Sequence, residues 1–440
     1  MKRISFIIPV FLLLFSFSLS NDKIETGSLK NGLKYVIMEN HSTPIVSIFF
    51  TVKVGLRDEN NLSCGVSHML EHLLFNGTKK RTQKKLYEDT DMIGGYCNAF
   101  TRDDFTCFMM VVPSSNGEKG MEIITDMLFN STLPPKKLEK ERGIVIEELK
   151  RDMADPSFFY NKFRKENIFK GTPYEMEVLG TVNSIKAMKR KNIWNYYITH
   201  YVPSNMVALI VGDISVKDAI LLLKKYTKDA PSRKVKSSPI GKNLFDRKDI
   251  ALYKVKGNYS ELTLTFKAPF MKERDYFPFL LLDRFFNSPN SPLLKIAREL
   301  KLGRFSSNYI YNRDYAIYNL TFRRTDVFNR EIPQKIISAI KKIKKLNPTQ
   351  GLLRDLKISL KAEEIYNYDN IHYLGVMKGQ ILADVPFNMV KNFFLDKYIE
   401  NVKSVSSSDI NNIFQKYFLN GERPIITIIN GEKEEKNNEK

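Results

Sequence analysis

Two histidines and a glutamate stand close together in residues 68–72, HMLEH. His68 and His72 are four positions apart, so on a helix both side chains project from the same face and can grip one metal ion. Imidazole nitrogen suits Zn²⁺, which in catalytic sites has three protein ligands and keeps a fourth position for water. Glu71 is placed to take a proton from that water. The segment therefore predicts a zinc site with Glu71 as general base.

The same five residues have a second interpretation, a solvated surface helix, because a bare HxxEH pattern also arises by chance. The neighbouring residues argue against it, since the helix that carries the pattern is largely apolar. The apolar positions are Val66, Met69, Leu70, Leu73, Leu74 and Phe75. Histidine and glutamate on a buried helix need partners, and a metal ion provides one. HxxEH is the reverse of HExxH, and both orders occur in zinc peptidases.

A third protein ligand is expected from the acidic segment 135–153, which prolines bound on both sides and which predicts a helix. Glu141 and Glu148 are seven residues apart, or two turns, and share one face of that helix. One carboxylate on the metal and a second carboxylate behind it is a common arrangement at metal sites. Glu139 and Glu147 are predicted to be solvated and paired with nearby cations.

The N-terminus has the layout of a secretory signal peptide over residues 1–20. Lys2 and Arg3 precede an apolar run over 4–19, and Ser18 and Ser20 are small residues before a cleavage point. The sequence therefore predicts an exported protein, periplasmic or extracellular. An uncleaved signal anchor is the alternative, and it is the only membrane contact expected, because no later run approaches 18 apolar residues.

Composition limits the other function classes. The chain has 440 residues, 43% of them hydrophobic, and a net charge of +20. The lysines are scattered and no nucleic-acid motif is visible, so no nucleic-acid partner is expected. Cys97 and Cys107 flank a predicted turn, and both a disulfide and two unpaired core thiols remain open. Cys64 is interpreted as a packing residue.

The chain divides into two similar halves. The predicted organisation is a metal-binding domain over 21–229, a polar linker over 230–246, a second domain over 247–430 and a disordered tail over 431–440. The helix–turn–strand order of 192–212 recurs in 409–430, which indicates an internal duplication. Strands alternate irregularly with helices in both halves. The pattern favours an α+β fold, a mainly antiparallel sheet layered with helices, used twice.

Several motifs together resemble the pitrilysin, insulin-degrading enzyme and mitochondrial processing peptidase family of inverted zinc proteases. The resemblance covers nearly all of the chain after the signal segment. It is carried by NGL at 31–33, GLRDE at 55–59, HMLEHLLFNGT at 68–78, NAFT at 98–101 with Asp104 and Thr106, ER through EE at 141–148, PY at 173–174, GT at 180–181 and VGD at 211–213.

The resemblance implies roles for individual residues. His68, His72 and Glu148 would be the zinc ligands, Glu141 the supporting carboxylate and Glu71 the general base. The resemblance also implies the fold, in which two homologous domains form half of a clam-like chamber that admits unfolded peptides.

The resemblance further implies two kinds of substrate contact. Asn98 and Ala99 would lie on an edge strand that pairs with the peptide backbone. The second domain would lack a metal site and would supply Arg298 together with a tyrosine seven residues later. Position 305 is instead Phe305, which has no hydroxyl to donate.

The departure at Phe305 leads to a prediction about partners. A hetero- or homodimer with a similar chain is expected, in which that chain supplies the arginine–tyrosine pair. The function expected is an exported zinc endopeptidase. The alternative is a non-catalytic or assembly subunit of a peptidase-like heterodimer.

Overall fold

The computed structural model describes residues 23–235, 239–246, 249–368, 370 and 374–432. The predicted signal peptide lies outside the described residues, as do residues 433–440 of the predicted tail. In the described part of the chain, no helix combines the length and the apolar character needed to cross a membrane.

The strands are β1 Lys23–Ser28, β2 Lys34–Glu39, β3 Ile45–Val52, β4 Tyr96–Thr101, β5 Thr106–Pro113, β6 Met206–Gly212, β7 Ile250–Lys256, β8 Ser260–Lys267, β9 Arg304–Tyr311, β10 Ala316–Arg324 and β11 Ile425–Glu432. The helices of the first half are α1 Val66–Leu74, α2 Gln83–Met92, α3 Gly117–Asn130, α4 Pro135–Ala154, α5 Pro156–Ile168, α6 Val182–Ala187, α7 Arg190–His200 and α8 Val216–Thr227. Those of the second half are α9 Tyr276–Phe286, α10 Pro292–Glu299, α11 Ile332–Lys341, α12 Gln350–Tyr368, α13 Gly379–Asp384, α14 Leu395–Ser404 and α15 Ser407–Phe414.

The first half contains a six-stranded sheet in the order β1-β2-β6-β3-β5-β4. Only the β2–β6 pair is parallel. β3 has the sequence IVSIFFTV and is buried at every position but its first, which suits a central strand covered on both faces. β4 has no fully buried residue and forms one edge of the sheet.

The second half repeats this topology in a five-stranded sheet of order β7-β11-β8-β10-β9. Each pair matches its counterpart in direction: β7–β11 is parallel like β2–β6, and the other pairs are antiparallel. The predicted α+β fold with two homologous domains is therefore confirmed. In the duplication, β9 corresponds to the edge strand β4, and α9 corresponds to α1.

Each half has its own hydrophobic core. In the first core, Met69, Leu70, Leu73 and Leu74 of α1 pack against the sheet and α4, which confirms that this helix is buried. A third cluster joins the first sheet, through residues such as Cys107 and Met109 of β5, to α13 and neighbouring segments of the second half. The two halves thus share apolar surface next to the end of β4.

One boundary differs from the sequence-based expectation, and one alternative that the sequence left open is decided. Gly431 and Glu432 belong to β11 and not to the tail, because they pair with Val255 and Lys256 of β7. Cys97 and Cys107 are free thiols on neighbouring strands, and their cross-strand partners are Met110 and Phe100, so they do not face each other.

Candidate metal centre

The N-terminus of α1 is fixed by a buried glutamate. The Glu59 carboxylate accepts hydrogen bonds from Gly65 N at 2.6 Å and from Ser67 N at 2.8 Å, which satisfies amide groups that a helix start leaves unpaired. Gly65 has φ +90°, and a Cβ there would lie 2.7 Å from Leu179 O. Glycine is therefore required where the start of α1 touches the segment before Thr181.

Three ligand atoms converge at the C-terminal end of α1. His68 Nε2 lies 3.8 Å from Glu148 Oε2, and His72 Nε2 lies 3.5 Å from the same oxygen. The three side chains are half-buried, with exposed fractions of 13% for His68, 17% for His72 and 27% for Glu148. The structure thus brings the two histidines together with Glu148 of α4, as the sequence predicted.

The donor set fits a zinc ion. Two imidazole nitrogens and a carboxylate are a common catalytic set, and ligands about 2.0–2.1 Å from a tetrahedral zinc lie about 3.4 Å apart. The observed separations from Glu148 are 3.5 and 3.8 Å, and all three ligand atoms lie within 4.8 Å of one another. One zinc ion held by these residues requires only small side-chain shifts.

Glu141 orients His72 from behind. His72 Nδ1 lies 3.1 Å from Glu141 Oε2, and Asn76 Nδ2 donates to Glu141 Oε1 at 3.1 Å. Donation from Nδ1 leaves the lone pair of Nε2 directed at Glu148 and available to a metal. Asn76 also donates to His72 O at 2.9 Å, so the end of α1 and the supporting carboxylate are held together.

Substitution of Glu141 should therefore weaken the metal site without removing a ligand. We expect Glu141→Gln to reduce zinc affinity by roughly 10–100-fold, the usual effect of losing a group that orients a ligand. A zinc titration with a competing chelator measures this. Glu139→Gln is a matched control on the same helix, because Glu139 is exposed and pairs with Arg142. Equal affinity in the two variants would contradict the role of Glu141.

Glu71 is held at the edge of the site by β4. Its Oε2 accepts a hydrogen bond from Thr101 Oγ1 at 2.6 Å, and its residue exposure is 8%. Burial raises the pKa of Glu71 to about 7, although the Thr101 hydrogen bond and the charge on His72 oppose the rise. A carboxylate with a pKa near neutrality is suited to accept a proton and then release it.

The two histidines have different electrostatic surroundings. Burial and the neighbouring His72 lower the pKa of His68 to about 4, so its imidazole is neutral, as a metal ligand must be. Burial also disfavours charge on His72, but its hydrogen bond to Glu141 and the charges of Glu148 and Glu71 raise its pKa. The acidic groups around His72 thus favour positive charge at this position, whether on the ring or on a bound metal ion. Among the described residues, His68 Nδ1 has no hydrogen-bond partner.

An open cavity of about 880 Å³ surrounds the ligands. Its walls come from both halves of the chain. The first half contributes His68, Glu71, His72, Phe75, Asn76, Gln83, Tyr87, Cys97, Asn98, Ala99, Phe100, Thr101, Arg102, Asp103, Asp104, Glu141, Glu148, Lys165, Val178 and Leu179, and the second half contributes Tyr311, Asn312 and Gln380. The cavity therefore lies between the two halves, with the proposed metal ligands in its wall.

Asn98 and Ala99 lie where the sequence placed them, on the free edge of β4 beside the cavity. The Ala99 amide donates to the Asn98 side chain at 2.9 Å and so is directed away from β5. A sheet edge with amides directed outward is the surface on which an extended peptide can add as a further strand.

Arg298 lies elsewhere. It is exposed at the end of α10 and does not line the cavity. The Phe305 ring, on β9, packs 5.3 Å from Phe322 and does not line it either. Neither position therefore lies where it could contact a substrate at His68 and His72 of the same chain.

The second half has no equivalent ligand set among its described residues. Asn287 donates to Asp283 O at 3.0 Å just as Asn76 donates to His72 O, which supports the alignment of α9 with α1. Asp283 then takes the place of His72, and it accepts a hydrogen bond from Tyr318 at 2.7 Å. Internal hydrogen bonds replace metal ligation in this half.

Sequence reasoning missed Glu59, Thr101 and Asn76 as parts of the site. Their positions were visible only as motif letters, in GLRDE, NAFT and LLFN. No local pattern indicates that Glu59 accepts from the start of α1 or that Thr101 reaches Glu71, because both contacts depend on how distant segments pack.

Comparison with known families and proteins agrees with this geometry. Residues 34–182 match the family described as insulinase (peptidase family M16), and residues 187–360 match the M16 inactive domain. An uncharacterized zinc protease of Rickettsia bellii is 30% identical over 312 residues, which cover 68% of this chain and 74% of that protein. Zinc protease PqqE of Helicobacter pylori is 25% identical over 409 residues, 90% of each chain.

Solved structures are similar in fold. A protease from Helicobacter pylori aligns with TM-score 0.78 and 22% identity, covering 93% of this chain and 99% of that one. The periplasmic protease PqqL of Escherichia coli aligns with TM-score 0.74 and 19% identity, covering 93% of this chain and 48% of the longer protein.

Proposed function

Because the chain belongs to peptidase family M16, we propose that it is an exported zinc metalloendopeptidase that hydrolyses unfolded peptides or small protein segments. The observation that carries the proposal is the convergence of His68 Nε2, His72 Nε2 and Glu148 Oε2 beside the Glu71 carboxylate. A scaffold protein has no need of all four groups in one cavity.

The three ligands would hold zinc, which when bound polarises a carbonyl and lowers the pKa of water to about 7. Glu71 accepts the proton of the attacking water and passes it to the leaving amine. Thr101 fixes one carboxylate oxygen of Glu71, so the other oxygen is the one free to receive the proton.

Substrate binding is assigned to the edge of β4. An extended peptide added beside Asn98 and Ala99 passes in front of α1, because Thr101 at the end of the same strand touches Glu71. Backbone pairing needs few side-chain contacts, so the cavity accepts peptides of varied sequence provided that they are unfolded.

Mass spectrometry of unfolded peptides incubated with the purified protein tests this function. Internal cleavage products are expected, and a chelator should abolish them until zinc is restored. Products that persist in chelator, or a zinc-loaded protein that gives none with any partner chain present, would contradict the proposal.

Export is proposed from the charged and apolar layout of residues 1–20. It agrees with the periplasmic location named for the Escherichia coli protease of similar fold. Detection of a mature N-terminus at Asn21 in a periplasmic or culture fraction tests it.

The positions of Arg298 and Phe305 support a working unit of two chains. The alternative function, a non-catalytic or assembly subunit, rests on the same positions, because the lone chain brings neither Arg298 nor Phe305 to its cavity. The complete set of metal ligands favours the peptidase.

Activity should therefore depend on a facing chain. We expect the chain alone to bind zinc yet cleave slowly, because a hydrogen-bond donor at the developing oxyanion contributes about 3–4 kcal/mol. Phe305→Tyr should raise the rate where two copies face each other. Peptidase assays across a concentration series measure both effects.

Two tyrosines of β9 are rivals for this role: Tyr311, which lines the cavity, and Tyr309, whose hydroxyl donates to Pro269 O at 2.6 Å. If a lone chain is fully active, Phe305→Tyr changes nothing and Tyr311→Phe or Tyr309→Phe abolishes cleavage, then the two-chain proposal is wrong.

A further inference from the structure

The boundary between the two halves contains a buried polar cluster beside the metal-site cavity. We call it the seam cluster, and it consists of Arg57, Asp104 and Tyr174 of the first half with Arg313 and Asp314 of the second. Arg57 and Tyr174 come from GLRDE and PY, segments that neither bind the metal nor touch Glu71. The proposed hydrolysis leaves them without a role.

A bidentate ion pair joins the halves. Arg57 Nε donates to Asp314 Oδ2 at 2.5 Å, and Arg57 Nη2 donates to Asp314 Oδ1 at 3.1 Å. The two side chains are only 4% and 5% exposed. A paired fork fixes orientation as well as distance, so this contact sets the angle between the halves and not merely their proximity.

Asp104 forms a second set of links. It is fully buried, and its Oδ2 accepts from Arg313 N at 3.0 Å and from Gln380 Nε2 at 2.9 Å. The Tyr174 hydroxyl lies 2.6 Å from Asp104 Oδ1 and 2.9 Å from Asp314 Oδ2. One carboxylate thus binds the β9–β10 turn and α13 of the second half simultaneously.

On the first half, the cluster is continuous with the end of β4. Arg57 N donates to Asp103 O at 2.8 Å, and a Cβ on Gly55 would lie 2.3 Å from Arg102 O, so glycine is required for this close approach. Arg102 and Asp103 directly follow Thr101, the residue that holds Glu71.

On the second half, the cluster is continuous with the cavity wall. Tyr311 and Asn312 directly precede Arg313, and both line the cavity together with Gln380. Asn312 accepts hydrogen bonds from the amides of Asp314 at 3.2 Å and Tyr315 at 2.8 Å, so the turn is held rigidly on its own side.

We propose that the seam cluster positions the non-metal half so that it forms one wall of the peptide-binding cavity. Arg57 and Asp104 are then positioning residues for hydrolysis at the metal half. This inference rests on the proposed function. It assigns to the second half a role within its own chain, separate from any contribution to a facing chain. The wall contacts the part of an extended peptide substrate that passes Tyr311, Asn312 and Gln380.

Arg57→Lys and Tyr174→Phe test the inference, measured on the full chain with peptide substrates. Lysine keeps the charge but cannot form the fork, and phenylalanine removes only the bridging hydroxyl. Both should raise KM on the order of 10-fold through misplacement of the wall, with a smaller change in kcat. Zinc content should stay at the wild-type value, because neither residue touches a ligand.

Arg81→Lys is the matched control. Arg81 is 7% exposed and pairs with Asp89, Glu122 and Asp126, all within the first half. This variant shows the effect of losing the paired hydrogen bonds of a buried arginine whose partners all lie within one half. Its KM should equal that of the wild type, even where its thermal midpoint falls as far as that of Arg57→Lys.

A distance measurement tests the inference independently of activity. Met92 and Tyr366 are 80% and 85% exposed, one in each half, and cysteines there can carry spin labels for pulsed electron paramagnetic resonance. The native thiols are first replaced by serine, so that only the two introduced cysteines carry a label. The Met92–Tyr366 distance distribution should broaden or shift in Arg57→Lys and stay unchanged in Arg81→Lys.

The outcomes separate this inference from the proposed function. If no peptide is cleaved by the wild type, the proposed function fails, while the distance distribution still tests whether the cluster fixes the halves. The inference is overturned if Arg57→Lys or Tyr174→Phe leaves KM and the distance distribution at wild-type values, or changes them no more than Arg81→Lys. Should Arg57→Lys fail to fold, the smaller change Tyr174→Phe decides.

Discussion

A Glu71→Gln chain is expected to keep its zinc and to lose peptide hydrolysis by about 10²-fold or more. The amide preserves the size of the side chain and the hydrogen bond from Thr101 but cannot accept the proton of the attacking water. His68, His72 and Glu148 are untouched by the change, so the metal site remains complete. Single-turnover cleavage of one peptide, with zinc content measured on the same sample, gives the result.

The control for this variant is Glu147→Gln. Glu147 is on α4 next to a proposed ligand, but its side chain is 71% exposed and pairs with Lys150 at 2.7 Å. It should hydrolyse peptides at the wild-type rate. Near-normal cleavage by a clean Glu71→Gln sample would refute the general-base role, and loss of zinc from it would show that the carboxylate supports the metal instead.

His72→Ala is expected to lose zinc and activity together. The substitution removes one of three ligands and also leaves Glu141 without the imidazole that it orients. Zinc affinity should fall more than about 100-fold, beyond the range seen when only an orienting group is lost. Elemental analysis after dialysis against a weak chelator measures the remaining zinc.

His200→Ala is the matched control for a helical histidine. His200 ends α7, and its Nδ1 lies 2.9 Å from Tyr196 O, a contact within its own helix. Its zinc content should equal that of the wild type. An unchanged zinc content in His72→Ala would remove this residue from the metal site and leave His68 and Glu148 as the ligands to be tested.

The shared faces of the proposed metal ligands were predictable because helix geometry is local. The four-residue spacing of His68 and His72 places them on one face whatever surrounds them, and the seven-residue spacing does the same for Glu141 and Glu148. That α4 meets α1 with those faces opposed does not follow from spacing. It came from the resemblance of the motifs to a known family, and the distance of 3.5 Å between His72 and Glu148 agrees with it.

The fold was predictable to the level of its duplication. Matching orders of helix, turn and strand at 192–212 and 409–430 indicated two similar halves, and the five strands of the second sheet repeat the order β2-β6-β3-β5-β4 of the first. Boundaries were less accurate, because β11 gains two residues from pairing with a strand far away in sequence. The polar composition of residues 431–440 had led to the prediction that Gly431 and Glu432 belong to the disordered tail.

Contacts between distant segments were beyond sequence reasoning. Arg57 and Asp314 are 257 residues apart, and neither has a periodic pattern that indicates a partner. The same holds for Thr101 and Glu71, which meet only because β4 ends beside α1. Arg298 shows the reverse case: the family resemblance implies substrate contact, while the structure places the residue on an exposed surface outside the cavity.

The central claim is that one zinc ion at His68, His72 and Glu148 drives peptide hydrolysis. Stepwise addition of zinc to the metal-free protein, with the rate of cleavage of one unfolded peptide measured at each step in the presence of any required partner chain, tests it most directly. The rate should rise from near zero in proportion to zinc and reach its plateau at one zinc per chain. A rate that is already maximal without zinc, or that never rises on its addition, would contradict the account.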